Sequence, residues 1–201
     1  MTAVVVQQLV DVLAEAAFHR EMLFLERAAA GDYSSALSYL SSTERLTGLS
    51  EIWYEIPIAD QARVLGDAIS GGDMLHREHE FLVQALTECR ERVELVTDCD
   101  RARQRFAELP DRLEVYRGTV AAEEWPDYGV SWTLDKEVAE KFAAGYRCSN
   151  RDSTPILMHA RRVSKTAICG VLVERKEHEV LILPGTFYKN RPARLPRRWH
   201  A

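Results

Sequence analysis

The hydrophobic residues of this chain change their period at Leu109-Pro110-Asp111. Upstream, over residues 5–107, apolar side chains recur mainly at helical spacing, as in Leu9, Val12, Leu13, Ala16 and Ala17 and then Met22, Leu23 and Leu25. Downstream, Leu113, Val115 and Tyr116 open a series of short segments of β-type composition. Proline has no N–H to give to a helix, so the upstream pattern cannot run on through Pro110. The expected fold is therefore α+β, with a helical subdomain over residues 1–108 and a mixed or antiparallel β core over residues 109–201. No internal repeat or low-complexity segment interrupts this division.

Within the helical part, Gly31-Asp32, Gly48, Gly71-Gly72-Asp73 and Asp98 are expected to separate roughly four or five helices. Beyond Pro110, strands are expected from Leu113 into Tyr116-Arg117-Gly118 and then at residues 129–133, 156–160, 167–173 and 179–183, the last closed by Pro184-Gly185. One helix over residues 136–144 follows the second of these. It has Val138, Ala139, Phe142 and Ala143 on a single face and Asp135 placed to cap it.

Of the 201 residues 46% are hydrophobic, which supplies one large core or two small ones. The net charge of −5 and isoelectric point near 5.7 leave no basic excess for a polyphosphate backbone, so nucleic acid is not the favoured partner. A local basic patch such as Arg191, Arg194, Arg197 and Arg198 could still touch one. The four cysteines, Cys89, Cys99, Cys148 and Cys169, have no metal-ligand spacing and read as reduced thiols. The apolar start at Ala3 to Val6 is broken by Gln7, Gln8 and Asp11 and lacks a basic flank, unlike a signal peptide or a spanning helix. A cytoplasmic protein is expected, with no membrane partner.

Three short motifs carry candidate chemistry. Tyr116-Arg117-Gly118 ends the first strand, and alone it reads as a surface arginine beside a glycine. Ser131-Trp132-Thr133 lies in the next strand, where the two-residue period sends Ser131 and Thr133 to one face and Trp132 to the other. Glu177-His178-Glu179 runs into Val180-Leu181-Ile182-Leu183-Pro184, so two glutamates share a face at the start of an apolar strand. Such a pair either raises the pKa of one member, calls for a cationic partner, or is simply a solvated strand end. His76 and His79 lack the His-Glu-x-x-His order of a metalloprotease helix, and no metal site is expected. The tryptophans Trp53, Trp125, Trp132 and Trp199 read as packing residues, and Trp125-Pro126-Asp127-Tyr128 as a turn that could rim a cleft.

In this order the motifs resemble the ADP-ribosyltransferase superfamily of the arginine–serine–glutamate type, over about residues 113–188. The resemblance rests on Arg117, on Ser131 and Thr133 leading into a helix with Ala139, Phe142 and Ala143, and on Glu177 and Glu179 before an apolar run and proline. Small bacterial toxins and phage enzymes of that family also carry a helical segment before the first core strand. The resemblance implies that NAD is bound as a substrate and its nicotinamide–ribose bond broken. It matches Arg117 to a bidentate grip on the diphosphate and Gly118 to main-chain contact with the nicotinamide amide. Ser131 matches the hydroxyl that fixes the catalytic carboxylate, Thr133 lies with it on the cofactor side, and Phe142 sits where a ring stacks on nicotinamide or fills a core. Glu179 matches the catalytic glutamate, which holds the ribose 2′-hydroxyl and stabilises an oxocarbenium-like state. Glu177 matches the residue that orients an arginine acceptor and takes its proton, with the short loop over residues 173–176 before it as the substrate-contacting loop. The expected activity is thus mono-ADP-ribosylation of a protein side chain, arginine first. NAD glycohydrolysis, which depletes the cofactor, and a non-catalytic binding module on the same fold are the alternatives. The sequence names neither the target protein nor any neutralising partner.

Overall fold

The structure, a computed structural model, describes residues 3–73, 75–120, 129–144, 155–175 and 177–186. Trp125 and the turn after it, Cys148, Lys176, Trp199, the arginines Arg191, Arg194, Arg197 and Arg198, and the side chain of His76 lie outside them. The chain forms two compact units, Met1–His79 and Glu80–Ala201, and Pro110 falls inside the second.

The first unit is helical: α1 (Ala3–Ala29), α2 (Tyr33–Ser38), α3 (Arg45–Ile52) and α4 (Ile58–Gly71), with single 3₁₀ turns at Trp53–Glu55 and Leu75–Glu78. In α4, Gln61, Val64, Leu65, Ala68 and Ile69 are all buried, the i, i+3, i+4 pattern of one helix face. Full burial of a residue such as Leu65 is worth about 1.5–3 kcal/mol. Gln61 is tolerated there because its amide nitrogen donates to the carbonyls of Trp53 and Ile56, at 3.1 and 3.3 Å. Gly48 does not separate two helices. It lies buried within α3, with the Leu40 side chain against it, and the break comes before Arg45.

The second unit contains α5 (His79–Glu91) from its second residue onward, β1 (Val96–Thr97), α6 (Asp100–Glu108), β2 (Arg112–Val120), β3 (Ser131–Thr133), α7 (Lys136–Ala143), β4 (Pro155–Ser164), β5 (Ile168–Leu172) and β6 (Glu179–Ile182). Among the described residues its mixed sheet has six strands in the order β1-β5-β6-β3-β2-β4; β1 pairs parallel with β5 and the other pairs are antiparallel. The α+β class is thus as expected, but a two-residue strand, β1, lies inside the stretch read as all helix. Leu113, Val115, Trp132, Val180 and Ile182 form one apolar cluster with Ala102 of α6. Among the described tryptophans, Trp53 and Trp132 are both buried, in the first and second unit respectively. Asp135 caps α7 as expected, its carboxylate accepting from the N–H groups of Glu137 and Val138 at 2.8 and 3.4 Å.

On the other face α7 crosses β2 at Gly118. A Cβ there would sit 1.8 Å from the carbonyl oxygen of Ala139 and 2.5 Å from the amide nitrogen of Ala143. Both are backbone atoms of the helix and cannot swing aside. Gly118→Ala is therefore expected to push α7 off the sheet at a cost of about 1–3 kcal/mol, lowering the melting temperature by roughly 2–10 °C. Calorimetry reads this directly, and an unchanged melting temperature would mean that helix and strand are not in such contact.

Candidate functional site

Strands β2, β3 and β6 are neighbours in the sheet, and each brings one of the three motifs to the same place. Tyr116 is registered opposite Thr133, Thr133 opposite Glu179, and Ser131 opposite Leu181. Cross-strand partners project to one face, so this register collects Tyr116, Thr133, Ser131 and Glu179 on the face that α7 crosses. A cleft opens there, and Arg117, Gly118, Ser131, Thr133, Phe142, Glu177 and Glu179 all line it, together with Tyr116 and Val138. The space in it that a water-sized sphere can reach is about 30 Å³. That is room for about two water molecules, far below the roughly 300 Å³ of an enclosed small-molecule site, so the described cleft is narrow.

Glu179 is buried. That burial is the main cause holding its pKa above the ordinary glutamate value, and the neighbouring charge of Glu177 adds to it. A hydrogen bond from the Ser131 hydroxyl works in the opposite direction, as do the charges of Arg175 and Arg117. The carboxylate is thus desolvated, oriented by a hydroxyl and flanked by both signs of charge.

Arg117 donates from Nη1 to the carbonyl of Ser131 at 2.5 Å. Desolvation lowers its pKa, and the Glu179 carboxylate partly offsets this. Its guanidinium lies on the α-carbon of Gly129, where a Cβ would come within 1.8 Å of Cζ. Gly129 therefore makes the room in which Arg117 reaches the cleft. An isolated glycine ahead of a strand is the only sequence signal for this.

The pair Glu177 and Glu179 converges by a different route from the one expected. Strand β6 begins at Glu179, and His178 has φ of 47°, in the left-handed region that residues other than glycine seldom adopt. Glu177 thus precedes a turn instead of sharing a pleated face with Glu179, yet both reach the cleft. The exposed His178 contributes this backbone conformation. Its carbonyl accepts from the Leu134 amide at 3.1 Å, and the Glu177 carbonyl accepts from Thr133 Oγ1 at 2.6 Å. Thr133 Oγ1 also accepts from the Asp135 amide at 3.0 Å. Its single donor and one lone pair are engaged, which leaves one acceptor position for a ligand.

Gly118 carries the helix crossing described above, a packing reason for glycine that is independent of any ligand. Phe142 is partly buried and lines the cleft, so its ring belongs to α7 packing and to the cleft wall at once. Arg175, whose charge reaches Glu179, was not singled out by its sequence position. No group of histidine, cysteine or acidic side chains among the described residues is arranged to hold a metal ion, and no described helix is long and apolar enough to cross a membrane. No protein-family model, curated protein or solved structure matches the chain. The chemistry of the cleft is therefore read from its own residues.

Proposed function

We propose that the protein is a mono-ADP-ribosyltransferase that uses NAD and an arginine acceptor. The observation that carries this reading is the Glu179 carboxylate, buried, hydrogen-bonded by Ser131, and sharing one cleft with Arg117 and Glu177. A desolvated carboxylate at a sugar is worth most when positive charge develops there, as in glycosidic bond cleavage. In the proposed reaction the bond from ribose C1′ to the pyridinium nitrogen breaks and nicotinamide leaves with the bonding electrons. A guanidinium nitrogen of the acceptor then bonds to C1′, and its proton passes to Glu177. Arg117 supplies the cation for the diphosphate, with the guanidinium donors beyond the one given to Ser131 turned to that task.

One observation favours hydrolysis as a second reading. The positive charge of Arg175 near Glu179 opposes the approach of a second guanidinium, whereas water is indifferent to it. Incubation with NAD labelled in its adenylate half, with a cell lysate or a free guanidino compound, distinguishes the two: label joined to the acceptor means transfer, and free ADP-ribose alone means hydrolysis. Ser131→Ala removes the orienting hydroxyl, and a hydrogen bond to a charged group is worth on the order of 1.5–3 kcal/mol. Turnover is expected to fall by roughly ten- to a hundredfold with folding intact, and full activity in this variant would remove Ser131 from the reaction.

A further inference from the structure

The segment between β5 and β6 is held at both ends. At its far end the Glu177 and His178 carbonyls are bonded by Thr133 Oγ1 and the Leu134 amide. At its near end the buried Asp98 accepts from two successive amides with the same oxygen, Oδ2: Val173 N–H at 2.9 Å and Glu174 N–H at 2.9 Å. Asp98 comes from a different part of the chain. It follows β1, whose Val96 and Thr97 are registered against Gly170 and Val171 of β5, so the parallel pairing delivers its carboxylate to the point where β5 ends. Bonds from backbone N–H groups to a carboxylate are charge-assisted and stronger than the backbone–backbone bonds that would otherwise end a strand. Arg175 comes directly after the two bonded residues, and Glu177 two residues later. Asp98 is not among the residues that line the cleft.

We propose that Asp98 is a positioning residue for the acceptor step: by pinning the amides of Val173 and Glu174 it fixes where Arg175 and Glu177 stand beside Glu179, and so sets how much of the reaction goes to a guanidinium and how much to water. The inference rests on the transferase reading above. Bond cleavage is assigned to Arg117, Ser131 and Glu179, none of which belongs to the segment whose amides Asp98 holds. The acceptor step depends on Glu177, and displacements near an ångström are enough to cost one to two powers of ten in rate.

The test compares the parent protein with Asp98→Ala and Asp98→Asn. Nicotinamide release is measured without acceptor, transfer is measured to a free guanidino compound, and amide hydrogen exchange is followed across residues 168–182. In Asp98→Ala, transfer is expected to fall about tenfold or more, with a higher KM for the guanidino compound, while nicotinamide release stays within about threefold. Exchange at Val173 and Glu174 should quicken while β5 stays protected. Asp98→Asn keeps an acceptor oxygen and should recover part of the transfer. A merely structural aspartate would lower both activities together and loosen β5 as well, and that outcome overturns the proposal. Unchanged exchange at the two amides, or an unchanged ratio of transfer to release in an active parent, overturns it too. A parent that releases no nicotinamide overturns the reading of the site itself, and the role of Asp98 in acceptor choice with it, even where exchange shows that the two amides are pinned.

Discussion

Glu179→Gln is expected to abolish nicotinamide release and acceptor modification together, each by on the order of a thousandfold. The amide has nearly the size of the carboxylate and can still bond to Ser131, so the cleft keeps its shape. What it lacks is the negative charge that, in the proposed reaction, would stabilise the ribosyl cation, and inside a desolvated site that charge would have no substitute from water. The same burial predicts the pH profile of the parent. Because desolvation, joined by the charge of Glu177, holds the Glu179 pKa up, the carboxylate is protonated as pH falls through a midpoint above the ordinary glutamate value of about 4.3. Activity should therefore decline on the acid side with that raised midpoint. A profile flat down to pH 4, or a Glu179→Gln protein with most of its activity, would show that this carboxylate is not the group at the sugar.

Glu177→Gln is expected to separate the two activities. Glutamine cannot take a proton from a guanidinium or pair with it ionically, so transfer should fall by about a hundredfold or more, in the range of a lost general base. Nicotinamide release should change only severalfold, because Ser131 and Arg117 still surround Glu179. A second consequence follows from the sign of the neighbouring charge. Glu177 raises the pKa of Glu179; with it neutralised, Glu179 stays ionised to lower pH, and the acid limb of nicotinamide release should move down. Equal loss of both activities would assign Glu177 to NAD and not to the acceptor. A limb that stays in place would mean that the two carboxylates do not sense each other.

The parts of this structure that were legible in the sequence are those set by local chemistry. Asp135 and the apolar face of α7 announce a capped helix because the cap and the 3.6-residue period lie within a few residues of each other. Pro110 separates the helical pattern from the longest strands for a similar reason, although β1 escapes it. A two-residue strand has no alternation to read, and β1 exists only because β5 offers it parallel hydrogen bonds. Gly48 misleads because glycine serves both to end helices and to admit a close neighbour, and here Leu40 takes that space. Of the cleft wall, Arg117, Gly118, Ser131, Thr133, Phe142, Glu177 and Glu179 were nameable from their motifs, whereas Trp132, read as packing, lines it too, and the geometry that joins Glu177 to Glu179 was not legible. A left-handed histidine carries no signature, and a regular strand would have been the default. The Asp98 clamp and the seat of Arg117 on Gly129 are contacts between segments far apart in the chain, and neither leaves a local pattern.

The assignment of this cleft to NAD is tested most directly by the rate of nicotinamide release from NAD by the parent protein, measured beside Glu179→Gln purified in the same way and shown to melt cooperatively. The expected result is release by the parent in many-fold molar excess over protein and none above background from the variant. No release from the parent, or equal release from both, would contradict it.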